Sequence, residues 1–353
     1  MNIDKEKLQL VMDEFTASGE ECGCQLVIYH QGKLQVNLFS GYTSEERKEE
    51  VSPETLFPIY SCGKAVAATA VHILVQRGLL SYEDRLADYW HEFGCKGKEN
   101  VRLWHILSHR SGLHKLPDGV TFEDMADWEK MCRVMEGMTP AWEPGTLSEY
   151  QAESYAWLLG ETVRRAVGKS LKEIITEEIL DPLGIANDFY FGTTPEAEKR
   201  LASVDSTDMP GNTSWCADVF NTKSLLRSFT PSLNGVSNAL ALAKFYSSLV
   251  TETDGVRLLN DDILRKVTAL CRWEQDPMPP KEAWAVFALG FILGGKDYAE
   301  FYGHGGALGG EGFIHRESGL AVAFLRNRAL RSDPDYPVRN RISEVLGLTP
   351  RVW

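Results

Sequence analysis

The sequence predicts an α+β fold: a mainly antiparallel, mixed sheet flanked by terminal helices, with a helical segment inserted in the middle of the chain. Three observations point there. Short apolar, strand-like runs occur near both ends of the 353 residues. Helical periodicity dominates between them. A charged amphipathic helix opens the chain and another closes it. Strands from both ends must share one sheet, so the predicted organisation is a sheet portion, 1–80 with 235–353, and a helical insertion, 81–234, carrying cleft loops.

Taken in order, residues 1–20 read as the first helix. Gln25–Tyr29 and Leu34–Ser40 alternate as two strands around the turn His30-Gln31-Gly32-Lys33. Leu56-Phe57-Pro58-Ile59-Tyr60 is extended, and 65–75 is a helix apolar nearly all round, hence buried, ending near Gly78. From Ser81 to Ile185 the pattern is mostly helical, broken at Gly112, Pro117-Asp118-Gly119 and Pro144-Gly145. Residues 190–234 are polar and irregular, as expected of loops that line a cleft. A helix runs from Asn238 to Val250. Strands are expected at Ala288–Leu293, Gly310–His315 and Leu320–Arg326, then a last helix at Pro337–Leu346.

Composition narrows the function. With 37 basic and 50 acidic residues the net charge is −13, which disfavours nucleic acid and anionic membranes as partners. No apolar run approaches the ~20 residues that span a bilayer. The first residues lack an apolar signal region, so the sequence as written reads as cytoplasmic. Seven scattered cysteines make no disulfide framework and fit a reducing compartment. Oligomeric state leaves no mark in the sequence.

Ser61-Cys62-Gly63-Lys64 is the single Ser-x-x-Lys quartet in the chain. It sits at the mouth of the buried helix. Unpaired N–H groups and the positive end of the helix dipole there favour a developing alkoxide. Lys64, three residues on, shares a helix face with Ser61, and desolvation would lower its pKa enough to accept the serine proton. Surface pairs produce the same quartet, but a lysine opening a buried helix has no such solvated alternative. Cys62 reads as a small helix residue rather than a nucleophile.

Tyr150 follows the turn Trp142-Glu143-Pro144-Gly145-Thr146 and precedes a helix. It is either a packed aromatic or a phenol near ammonium groups, where its pKa would fall and it could relay protons. Within Tyr302–Gly310, the eight residues Gly303–Gly310 hold five glycines. That segment is either a flexible turn or a backbone that approaches a ligand closely, with Ala307 offering an N–H to an oxyanion and His304 facing the cleft. His105 and His109 lack the Glu of the zinc-peptidase pattern, and His72 in the apolar helix reads as a core histidine. No Gly-x-Ser-x-Gly elbow or phosphate loop is present, and no metal or cofactor is expected.

Taken together these segments resemble the serine β-lactamase superfamily, and within it the class C branch with family VIII carboxylesterases and D-amino-acid peptidases. Ser61-x-x-Lys64 looks like its first motif. Pro144-Gly145 followed by Tyr150 looks like its second, and His304-Gly305-Gly306 like its third. Leu107–Leu113 and Asp181–Ile185 match two further stretches in order, so the resemblance covers about residues 20–345. It implies a β-lactamase/transpeptidase-like fold and acyl transfer from a small ester or amide through a serine ester. Ser61 would be the nucleophile, with Lys64 and Tyr150 sharing the base role. The N–H groups of Ser61 and Ala307 would form the oxyanion hole, and His304, Gly305, Gly306 and Ala152 would bind substrate. Two positions depart from the pattern: Ala152 replaces the second motif's Asn, and His304 replaces a lysine. Both favour a carboxylesterase-like hydrolase over a β-lactamase or D-amino-acid peptidase. The third reading, a catalytically silent binding protein, runs against the intact Ser61, Lys64 and Tyr150.

Overall fold

The computed structural model describes residues 3–44, 46, 49–204, 213–271, 285–328 and 337–349. The first helix, Lys5–Ser18, starts where the Asp4 carboxylate accepts the Lys7 N–H at 3.0 Å. Leu8, Val11 and Met12 recur at helical spacing and are its buried face. In chain order the strands are β1 (Gly23–His30), β2 (Lys33–Gly41), β3 (Phe57–Pro58), β4 (Phe189–Phe191) and β5 (Gly235–Ser237). They continue with β6 (Val286–Phe287), β7 (Ile292–Gly294), β8 (Phe301–Gly305), β9 (Glu311–His315) and β10 (Leu320–Arg326).

Seven of them form a sheet in the order β2-β1-β10-β9-β8-β7-β6. Every pair in it is antiparallel, so the expectation of a mixed sheet is corrected. Among the described residues a single parallel contact, the isolated bridge Leu56–Leu201, lies outside it. β1 and β10 run edge to edge from Cys24–Arg326 to His30–Leu320, which joins the two ends of the chain as expected. All seven residues of β10 are buried because both faces of the sheet are covered. On one face lie Lys5–Ser18 and Pro337–Leu346, whose Leu8, Met12 and Ile342 pack on Leu26, Ile28 and Phe324. On the other lie the helices Gly63–Gln76 and Ala239–Val250 and the larger core.

Of the expected strand 288–293 only Ile292 and Leu293 are strand, in β7; 288–291 form the turn that joins it to β6, just upstream. In that turn Gly290 takes φ +84°, and a Cβ there would sit 2.1 Å from that of Ala68. The turn therefore lies directly on the buried helix, and only glycine permits it. β8 occupies the start of the glycine-rich segment. In a second sheet, β3-β5-β4, only β3 falls in a segment read as extended; β4 and β5 had no sequence counterpart, since three-residue strands are too short to show a period. The stretch 190–234, expected to be irregular, carries part of that sheet and helices such as Thr213–Asn221 and Lys223–Arg227.

Candidate active site

Gly63–Gln76 is buried from Gly63 through Leu74. A 3₁₀ turn, Tyr60–Cys62, leads into it, so Ser61 lies just ahead of the α-helix rather than inside its first turn. Tyr60 holds φ +44°, a costly value for a bulky residue. It is kept there by burial, by a 2.8 Å hydrogen bond from its hydroxyl to the Cys216 carbonyl, and by packing on Trp215 and Phe220. That bend presents Ser61 half-exposed while its neighbours stay buried.

Lys64 is fully buried, and its Nζ donates to Ser61 Oγ at 3.0 Å and to the Ser232 carbonyl at 3.0 Å. The amine also lies 5.0 Å from the Tyr150 ring centroid and 6.0 Å from that of Tyr155. Burial brings its pKa from 10.5 down to about 7, against a pull upward from Glu153. The cost of holding the ammonium there is on the order of 5 kcal/mol, so the lysine sheds its proton near neutrality.

Tyr150 was expected to have a lowered pKa. The reverse holds: burial pushes the phenol up, and a hydrogen bond with Ser61 only partly offsets this. At neutral pH Tyr150 is therefore a protonated phenol. Its position is set by the Leu107–Leu113 stretch. His109 accepts the Gln151 N–H on Nδ1 at 3.1 Å and its carbonyl takes the Glu149 N–H at 3.0 Å, while Arg110 donates to the Gly145 carbonyl at 3.0 Å. The His109 and Tyr150 rings meet edge to face at 4.9 Å. His105 is engaged the same way, accepting the Arg102 N–H, and His72 is a buried core residue between Tyr82 and the Leu289 carbonyl.

His304, on β8, is buried, with its ring 6.1 Å from that of Tyr150. Its Nδ1 lies 2.8 Å from the Gly305 carbonyl, which can only accept, so Nδ1 carries the proton. Burial and the nearby Lys64 amine hold its pKa at about 3. The ring is thus neutral, with an Nε2 lone pair that has no donor among the described residues. Gly305 ends β8. A Cβ on Gly306 would stand 2.5 Å from the Ile59 carbonyl, so the glycine-rich segment touches the chain two residues before Ser61. The Cys62 thiol, buried and neutral, donates to the His304 carbonyl at 3.2 Å and ties the serine turn to β8. Ala307 follows on the exposed rim, and no acceptor among the described residues takes its N–H. Ala152 lies half-buried between Gln151, which Ser111 holds, and Glu153.

Gly306→Ala should therefore push β8 away from the Ser61 turn. Turnover should fall by on the order of tenfold or more, the usual result of misplacing reacting groups by about 1 Å, with the melting midpoint much less affected. Wild-type turnover in that variant would show that the close approach is not needed.

Sequence reasoning missed the Ser232 carbonyl, which carries no side-chain signal, and Glu153, whose carboxylate stands within the second motif beside Ala152. Among the described residues no group of acidic, histidine or cysteine side chains could hold a metal ion, and no helix is long and apolar enough to cross a membrane.

A buried lysine hydrogen-bonded to a serine at a helix mouth, facing a tyrosine and a glycine-rich strand, defines the β-lactamase class of serine hydrolases. The Beta-lactamase family model matches residues 8–345, and the chain belongs to that family. It is similar to "Esterase/beta-lactamase LipL" of Mycobacterium tuberculosis, 29% identical over 346 residues, 87% of this chain and 77% of that protein. Among solved structures it resembles a family VIII carboxylesterase (TM-score 0.85, 27% identity, 98% and 99% of the two chains). It also resembles a penicillin-binding protein homologue from Caulobacter crescentus (TM-score 0.83, 28% identity, 98% and 99%).

Proposed function

We propose that this protein hydrolyses small esters through an acyl-enzyme on Ser61. The observation that carries the reading is the 3.0 Å contact between a fully buried Lys64 amine and the Ser61 hydroxyl. Unprotonated Lys64 takes the hydroxyl proton as Ser61 Oγ attacks the ester carbonyl. The N–H groups of Ser61 and Ala307 receive the oxyanion, each worth about 3 kcal/mol in comparable sites. Tyr150, a neutral phenol, protonates the departing alkoxide and recovers its proton from the Lys64 ammonium. Water then attacks the acyl-serine, and the same groups run in reverse. Lys64 is the base and Tyr150 the donor, a division that replaces the shared base role.

Ester preference has support in the substrate-binding residues. Neutral His304 offers an acceptor where a lysine would offer a cation, so it does not recognise a carboxylate. Ala152 provides no amide for an acylamino arm. Glu153, next to Ala152 in the chain, adds an acidic group at that position. Penicillins and cephalosporins carry the carboxylate and the arm, whereas a short uncharged ester needs neither. The relatives named as esterase and carboxylesterase agree with this reading. The insertion 81–234 supplies Tyr150 and Ser232 and forms the substrate-binding wall. The seven free cysteines fit action in a reducing compartment.

The test compares kcat/KM for p-nitrophenyl butyrate with that for nitrocefin. The ester value should be the larger, and Ala152→Asn with His304→Lys should move the ratio toward the lactam. Faster nitrocefin turnover by the unaltered protein would assign it to β-lactams instead.

A further inference from the structure

A cavity of about 460 Å³ lies between the segment 115–125, Glu153 and Trp215. That volume suits a drug-sized group. Two contacts tie it to the site. Trp215, on its wall, stacks 6.2 Å from the Tyr60 ring that immediately precedes Ser61. Glu153, also on its wall, receives the Ser232 hydroxyl on its backbone carbonyl at 3.0 Å, and the Ser232 carbonyl in turn holds the Lys64 amine.

The lining has two characters. Val120, Phe122 and Trp215 give an apolar surface, with the two rings edge to face at 6.4 Å. The charged side chains are Glu153, Asp118 and Glu123 against Lys115 alone, so the cavity carries an excess of two negative charges when all four are ionised. Glu153 is the inner member. Burial raises the pKa of its carboxyl group, while the Lys64 amine and its own backbone N–H pull the other way by favouring the charged form. No other side chain among the described residues hydrogen-bonds to it. Aromatic faces beside a carboxylate recognise alkylammonium groups, through cation–π attraction and charge together.

We propose that this cavity is a subsite for an apolar ammonium group, so that the preferred substrates are esters carrying a protonated or quaternary amine. The ester preference rests on the reading of Ser61 as nucleophile; the cation site itself stands on the cavity alone. The apolar part of the group lies against Phe122 and Trp215, and the cation meets Glu153. Such a preference also disfavours anionic substrates, for which Glu153 is repulsive.

The probe is phenyltrimethylammonium, titrated by calorimetry into the wild-type protein and into Ser61→Ala. Both should bind it saturably, and it should compete with p-nitrophenyl butyrate in the wild type. Glu153→Gln should weaken binding by about tenfold or more while its circular dichroism and melting midpoint stay close to wild type. If that variant does not fold, Glu153→Asp, which withdraws the carboxylate by one methylene, should give an intermediate loss. The uncharged isostere tert-butylbenzene should compete less well than the cation. Equal binding by wild type and a folded Glu153 variant, or no saturable binding by the wild type, overturns the proposal. Saturable binding by a wild-type protein that itself shows no ester turnover would instead overturn the hydrolase reading and leave the cation site standing.

Discussion

Ser61→Ala is expected to lower kcat for p-nitrophenyl butyrate by on the order of 10⁴-fold or more, the scale seen when a nucleophile is removed from a preorganised site. The folded state should scarcely notice. Ser61 is half-exposed, its hydroxyl is bonded to Lys64, Tyr150 and, at 3.5 Å, the Ser232 carbonyl, and alanine adds no volume. The thiol of Cys62 cannot substitute, because burial keeps it protonated and its hydrogen bond goes to the β8 backbone. Residual turnover within tenfold of wild type would mean that another group attacks.

Lys64→Ala is expected to cost on the order of 10²-fold or more, the usual contribution of a positioned base. The pH profile gives a sharper reading of the same residue. The amine loses its proton near pH 7 in the fold, against 10.5 in the open chain. Below about pH 7 it is an ammonium and cannot accept from Ser61; above it the base is free. The acid limb of kcat/KM for a neutral ester should therefore have its midpoint near pH 7. His304 and His109 do not supply that limb, since both pKa values are pressed well below the usual histidine range by burial and by Lys64 itself. A profile flat from pH 5.5 to 8.5 would remove Lys64 from the base role.

The contact between Ser61 and Lys64 was legible in the sequence because their relation is local. A three-residue spacing at the start of an apolar helix determines both the shared face and the burial, and nothing distant is needed. Strands β1, β2 and β10 and the helices Ala239–Val250 and Pro337–Leu346 were legible for the same reason, each carrying its own period. What failed to show depends on contacts across the chain. The Ser232 carbonyl meets Lys64 from 168 residues away. Tyr150 sits between the expected turn and the following helix, yet the direction of its pKa is set by how deeply Phe287, His109 and Tyr155 enclose the region. The turn at 288–291, within the expected strand 288–293, follows from Gly290 resting on Ala68, a contact that no local pattern encodes.

The central claim is a covalent bond between substrate acyl group and Ser61. Intact-mass spectrometry, after rapid mixing with p-nitrophenyl butyrate and acid quench, tests it most directly. The account predicts one added butyryl mass on the wild-type chain, mapped to the peptide containing Ser61 and absent from Ser61→Ala. An adduct on any other residue, or the same adduct in Ser61→Ala, would contradict it.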